Sequence, residues 1–415
     1  MSAKQAILFT SLLFCFFSTI AAQVNDSIPK HKKNIFTLAF YKQPGKDSMV
    51  DFVDGIYRVF MPRKTRGYSE DQAVTHFSFV PAVEYSLATG LAVSANASLV
   101  VPGKTNFTNA STISGELKYT QNKQIIGQLV SNIWLRNNDY ILNTNWSYAK
   151  YPQKDFGLGS NSDLSRFDLL DYSYLKMHQS LVRRIFPNFY MGPGIVIDHH
   201  WNITDTTTLN KPLTGFTQYG FTSSATSVGI SLNLLYDTRK SIVNPVAGSS
   251  YLNVIYRNNL TGLGSNQHWQ SLIIDARKYI GFPKHSKNIL AFWTYDVLTL
   301  QGRPPYLHLP ATASDVFSNT GRGYIQGRFR GDKWLFAESE YRFGITENGF
   351  LGAVVFANVQ TVAEQPGKNI QGLRTGYGAG IRIKLNKHSN TNIALDYGFG
   401  QGGSHGLFMN LGEVF

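Results

Sequence analysis

Cysteine is almost missing from this chain: the 415 residues hold a single one, Cys15. It lies in an opening segment, Met1 to Ala22, whose only charge is Lys4 and whose centre is apolar (Ile7, Leu8, Phe9, Leu12, Leu13, Phe14, Phe16, Phe17). Small residues follow (Ser18, Thr19, Ala21, Ala22), so residues 1–22 read as a cleavable secretory signal. A retained anchor is the weaker alternative, because the run is short. A lipoprotein signal would need a small residue before Cys15, and Phe14 stands there. Removal of the signal leaves no thiol, which excludes disulfides, thiolate metal sites and cysteine catalysis.

Charge is also scarce. Asp, Glu, Lys and Arg make up 16% of the chain, against about a quarter in ordinary soluble proteins. Long apolar runs are missing as well: none after the signal approaches the ~18–20 residues that a spanning helix needs. Low charge without apolar runs fits strands that alternate lipid-facing and lumen-facing side chains. The formal charge of +13 is spread along the chain without a dense basic stripe, so nucleic acid is not expected as a partner. Anionic lipid headgroups suit that charge better.

What the chain does have is aromatic residues, at 13%, and 37 glycines. Residues 23–75 stand apart. Lys30, Lys32 and Lys33 open a polar stretch, Asp47 or Ser48 caps a short amphipathic helix, and Met49, Phe52, Val53, Ile56 and Phe60 recur at helical spacing before Pro62. This piece is too small for a core of its own and reads as a periplasmic extension.

From His76 onward the period becomes two. Trp334, Phe336, Glu338, Glu340 and Arg342 share one face of a segment, with Leu335, Ala337, Ser339, Tyr341 and Phe343 on the other. Leu373 to Leu385 and Thr391 to Phe399 alternate in the same way, with Arg374, Arg382, Lys384 and Asp396 on the polar faces. A charged face opposite an apolar one implies a wet lumen and a lipid boundary. About sixteen such segments fit between 76 and 415, which implies an all-β, 16-stranded antiparallel transmembrane β-barrel. The longest connections, 152–167, 202–222 and 303–332, all follow odd-numbered strands and so share one end.

With strands placed, several fragments align with one family. They are Phe79-Val80-Pro81 with Tyr85 and Gly90, Phe156-Gly157-Leu158-Gly159, Tyr236-Asp237-Thr238-Arg239, Asp275 to Tyr279, and above all Arg322-Gly323-Tyr324 in the eleventh connection. The chain resembles the BamA/TamA-type outer-membrane barrel superfamily (the bacterial surface antigen barrel) over essentially 76–415. The resemblance implies a bacterial outer-membrane location and a long sixth outer loop, loop six, whose Arg322 tucks into the lumen against carboxylates. Glu340 and Asp396 are the implied partners, with Glu338 as the alternative. It also implies that Phe415 closes an insertion signal on a last strand 404–415, although Glu413 falls where an apolar residue is usual. The fifty or so residues before the barrel lack the strand–helix pattern of the polypeptide-transport-associated (POTRA) domains that assembly and secretion members carry, so a member without them is expected.

No enzyme motif accompanies these features: Gly-x-Ser-x-Gly, a Walker loop and His-Glu-x-x-His are all missing. Gly376-x-Gly378-x-Gly380 lies along a strand instead of opening a helix, so it reads as room for loop six against the wall. His199 and His200 point to opposite faces and His308 is far away in sequence, so neither a metal nor any cofactor is expected. The implied function is help with assembly or translocation of outer-membrane proteins, lipoproteins or lipids. Alternatives are an accessory barrel in an outer-membrane complex, a self-dimer, or a plugged low-conductance pore.

Overall fold

The structure, a computed structural model, describes residues 75–415 except 104–107, 207–214, 221, 285, 365–368 and 387–389. The expected signal segment and the extension with its amphipathic helix lie outside the described residues, Thr75 aside.

One antiparallel sheet contains all seventeen strands of the described residues. They are β1 His76–Ser86, β2 Gly90–Val101, β3 Ser111–Thr120, β4 Ile125–Leu135, β5 Tyr140–Lys150 and β6 Gln153–Asp155. Next come β7 Asp168–Phe186, β8 Phe189–Asp205, β9 Ser224–Asp237, β10 Ser250–Asn259, β11 Trp269–Gly281 and β12 Ile289–Gly302. The last five are β13 Lys333–Gly344, β14 Leu351–Ala363, β15 Arg374–Asn386, β16 Thr391–Gly400 and β17 His405–Leu411. Each strand pairs with its sequence neighbour, except that β5 and β6 both pair with β7.

Sixteen strands were expected, and the difference has a local cause. β6 continues the register of β5 against β7: Lys150 sits opposite Ser173 and, after a break, Gln153 opposite Leu170. Pro152 occupies the break, and proline cannot donate to the ladder. The fifth segment is thus one line of chain counted as two strands.

The two faces separate as the period requires. On β13, Trp334, Phe336, Glu338, Glu340 and Arg342 are buried inward. Outward stand large apolar side chains such as Phe77, Leu117, Ile195, Ile230, Val355 and Tyr377, exposed on the protein's own surface, as a lipid-facing belt would be. No helix among the described residues is long and apolar enough to cross a membrane. β7 and β8, at 19 and 17 residues, exceed the ~9–11 residues a spanning strand needs. They run on to the end of the barrel that carries the long connections, the loop end. There Leu170, Tyr172, Ile203, Tyr306 and Leu309 form a buried cluster with Phe216 and Tyr219 of the short helix α1, Gly215–Gly220.

The edges meet without zipping. Cα atoms of β1 and β17 come within 8 Å, yet no hydrogen-bonded register joins them among the described residues. One touch is at the β1–β2 turn: a Cβ built on Gly406 would lie 2.3 Å from Leu87 Cδ2. The last strand was expected to run through 404–415, and it stops at Leu411. Gly412 takes φ +91°, a conformation that costs glycine little. The chain then turns inward, with Glu413 N–H donating to the Val243 carbonyl.

Candidate functional site

Loop six, residues 303–332, leaves β12 and folds back into the barrel. Three of its glycines, Gly321, Gly323 and Gly327, have positive φ. A Cβ on Gly323 would also lie 2.8 Å from the Phe399 carbonyl. Only glycine lets the backbone lie this close to the wall.

The wall has a matching trough, built by register. One row across the sheet runs Glu338, Asn358, Gly376, Gly400; the next runs Glu340, Phe356, Gly378, Gly398; the third runs Arg342, Val354, Gly380, Asp396. Bulky and charged groups come mainly from β13 and β14, and β15 gives glycine in every row. Cβ atoms on Gly376 and Gly398 would strike the backbone of Arg322 or Gly323, and one on Gly400 the Tyr324 ring. One on Gly378 would meet Phe356 at 2.4 Å, and one on Gly380 the Asp396 carboxylate at 1.8 Å. The glycine run therefore makes room for wall side chains as well as for the loop.

Arg322 sits in this trough, 1% exposed. Its Nη2 donates to Glu338 Oε1 and Glu340 Oε2, each at 2.5 Å, and Nη1 donates to Asp396 Oδ2 at 2.5 Å. The guanidinium stacks 3.7 Å above the Phe356 ring. Glu338, the alternative partner, is thus engaged together with Glu340 and Asp396. The neighbours of Arg322 fix the rest: Asn358 Nδ2 donates to the Arg322 carbonyl, Ser404 Oγ to the Gly323 carbonyl, and the Tyr324 hydroxyl to the Thr375 carbonyl.

Three further residues complete the network, and sequence reasoning had not assigned them to it. Arg342 bonds Glu340 and donates to the Phe415 main-chain oxygen at 2.7 Å. Arg382 bridges Asp396 at 2.5 Å and Glu413 at 2.6 Å. Glu413, the misfit in the expected insertion signal, is therefore an ion-pair partner, and its other oxygen accepts from Asn392 at 2.6 Å. Phe415 lies 2% exposed inside the barrel, 5.0 Å from the Trp293 ring centroid, instead of on the outer face of a last strand. Loop and tail touch directly, through Asn319 Nδ2 to the Val414 carbonyl. The arrangement is a mechanical anchor: buried charges of opposite sign, linked across loop, wall and tail.

The fold also brings together histidines that are distant in sequence. His308, in loop six, shares a hydrogen bond with Ser227 Oγ at Nδ1 (2.7 Å) and another with His200 Nδ1 at Nε2 (2.9 Å). Ser227 Oγ in turn accepts from Trp269 Nε1, and Asp198 beside them pairs with Arg257 and His178. Burial holds His308 down at about 3, well below its usual range. His199 points the other way, to Thr226. Among the described residues no group of three or more His, Cys, Asp or Glu is arranged to hold a metal. Ser227 is wholly buried, and this chain of hydrogen bonds fastens loop six to β8 and β9.

No family model matches the sequence, and no curated protein matches it. Solved structures do. BamA from Haemophilus ducreyi, lacking POTRA domains 1–3, superposes with a TM-score of 0.54 at 14% identity, over 82% of this chain and 70% of that one. CdiB from Escherichia coli gives 0.54 at 11% identity over 83% and 63%, and CdiB from Acinetobacter baumannii 0.51 at 12% over 82% and 60%. The chain has the fold of a BamA-type barrel. It spans 60 to 70% of the length of these three structures, and at such identities the likeness concerns the fold alone. Arg342 and Arg382 were visible in the sequence as inward-facing charges on their strands. Their link to Glu413 was not, because nothing local signals that the tail leaves the sheet.

Proposed function

We propose that this chain is a bacterial outer-membrane barrel, exported by a cleaved signal, that assists assembly or translocation of outer-membrane proteins, lipoproteins or lipids. In this reading the sixteen long strands close into the transmembrane wall, the loop end faces outward, and the short extension lies on the periplasmic side. The barrel works without a cofactor and without enzymatic chemistry. Phe415 serves as the insertion signal before the tail folds inward.

The observation that carries the reading is the seam. β1 and β17 lie side by side with no shared ladder among the described residues, and unpaired strand edges are templates for another strand. The test is controlled depletion followed by quantitative proteomics of the outer membrane. Selective loss of other barrels or surface lipoproteins before growth slows supports the role, and an unchanged outer membrane refutes it. Cysteines at Leu87 and Gly406, where a Cβ on Gly406 would lie 2.6 Å from Leu87 Cγ, are placed to lock the seam by disulfide. Oxidation should then mimic depletion, and reduction should reverse it.

A second reading, an accessory subunit or plugged pore, draws on the anchored loop six, which occupies the interior between β13, β16 and the tail. Stable co-purification with fixed partners, or with a second copy of the chain, favours the subunit. Large steady single-channel currents would speak for an open pore instead.

A further inference from the structure

The arginines that the barrel buries are paired with carboxylates, with one exception. Arg257, Arg322, Arg330, Arg342 and Arg382 each have a carboxylate oxygen within 4 Å. Arg328, 4% exposed, has none among the described residues. Its Nη atoms bond only the hydroxyl and carbonyl of Ser162, and its buried Nε has no partner. Arg374, at the start of β15, is in the same state: its Nη atoms reach the side-chain oxygens of Gln401 and Asn161, and its buried Nε is also unpartnered.

These two guanidiniums line one cavity of about 290 Å3 at the loop end, together with Ser160, Ser162, Phe329 and Gln401. Burial and the neighbouring Arg374 charge push the Arg328 guanidinium below its ordinary range, and the Asp163 charge offsets this only in part, so two clustered guanidiniums face one distant, exposed carboxylate. Asp163, the one acid on the rim, is exposed, makes no ion pair with either arginine, and accepts from the Ser165 N–H. A buried charge without a counter-charge is costly unless a ligand supplies one. Guanidinium forks match the oxygens of a phosphate. The volume lies near the ~300 Å3 lower bound of small-molecule sites and suits a single sugar.

We propose that this cavity binds a phosphomonoester on a sugar-sized group, with Arg328 and Arg374 as the two clamping residues. The cavity adjoins loop six but is lined neither by Arg322 and its carboxylates nor by β1 and β17, so the proposal stands whether or not the barrel assists assembly. The phosphate comes either from a free sugar phosphate or from the headgroup of a membrane lipid, and the test separates the two.

The experiment uses the full folded barrel. In detergent, unfolding midpoints are measured against increasing glucose 1-phosphate, with glucose and potassium chloride at matched ionic strength as controls. In nanodiscs, the same midpoint is compared between phosphatidylcholine alone, phosphatidylcholine with phosphatidic acid, and phosphatidylcholine with phosphatidylglycerol, which lacks a monoester. Saturable stabilisation by glucose 1-phosphate supports a soluble source, and stabilisation by phosphatidic acid alone supports a lipid source. In either case Arg374→Gln should weaken the effect at least about tenfold, as expected for one charge-assisted contact. Arg374 is half-exposed, so this variant should fold even where Arg328→Gln does not. Stabilisation by neither probe, or wild-type affinity in Arg374→Gln, overturns the proposal.

Discussion

Replacing Arg322 by alanine tests the anchor most directly. The substitution removes a guanidinium shared among Glu338, Glu340 and Asp396 and stacked on Phe356. Four carboxylates, with Glu413 as the fourth, would then face only Arg342 and Arg382. Breaking a buried pair costs about 3–5 kcal/mol because the partner stays buried and unpaired, and the lost stacking adds up to ~2 kcal/mol. Protonation of one carboxylate relieves part of the excess, so about 3 kcal/mol is the expected net loss. Arg322→Lys keeps the charge but cannot fork across three carboxylates, and should recover only part of it. The assay is urea unfolding in micelles, read by heat-modifiable gel mobility and by fluorescence, since Trp293 and Trp334 lie in the adjoining cluster. A double-mutant cycle with Glu340→Gln should show coupling of ~1–3 kcal/mol. A loss under ~1 kcal/mol with additive behaviour would refute the anchor.

His308 should make stability fall in acid. Its pKa is about 3 in the folded chain against 6.5 ordinarily, so the unfolded chain binds the extra proton and stability drops as pH falls from about 6.5 toward 3. At pH 4.5 the loss is about 2–3 kcal/mol relative to pH 7. Unfolding midpoints at the two pH values should differ less in His308→Asn, and an unchanged difference would discard the assignment. Gly380→Ala should destabilise by ~1–3 kcal/mol through overpacking against Asp396 and the Leu395 carbonyl. Gly372→Ala, with open space around it, is the control, and equal urea midpoints would show that the trough is not tight. Glu413→Gln weakens the Arg382 bridge that holds the tail, so amide exchange at Gly412 and Glu413, which donate to the Asn392 and Val243 carbonyls, should quicken in the folded variant; equal rates would mean that the aromatic packing alone retains the tail.

Much of the wall was legible in the sequence because a period of two is dictated by the strand itself. Once Glu338, Glu340 and Arg342 alternate with Leu335, Ala337 and Tyr341, only one face suits a lumen. Pro152 shows where the pattern ran out: the chain continues in register beyond it, but the ladder is interrupted and the strand count changes. The histidine relay was hidden for a different reason. His200 and His308 are 108 residues apart, and sequence separation carries no information on how a long loop folds back. Phe415 was read from its alternation with Leu411 and Met409, which is a local property. Its inward turn is set by Gly412 and by the distant Arg342 and Arg382.

The tail changes how the charge network must form. Glu340 answers both Arg322 from loop six and Arg342 of its own strand, and Asp396 answers Arg322 and Arg382. Arg342 and Arg382 are completed only when Glu413 and Phe415 arrive from beyond β17. Before that, any compact state with the loop inserted would bury guanidiniums with part of their hydrogen bonding unmet, which is costly in a confined site. Loop, wall and tail therefore stabilise one another. Insertion of loop six gains its full stability only in a barrel whose last strand is paired, so the network ties the plugged state to completion of the sheet.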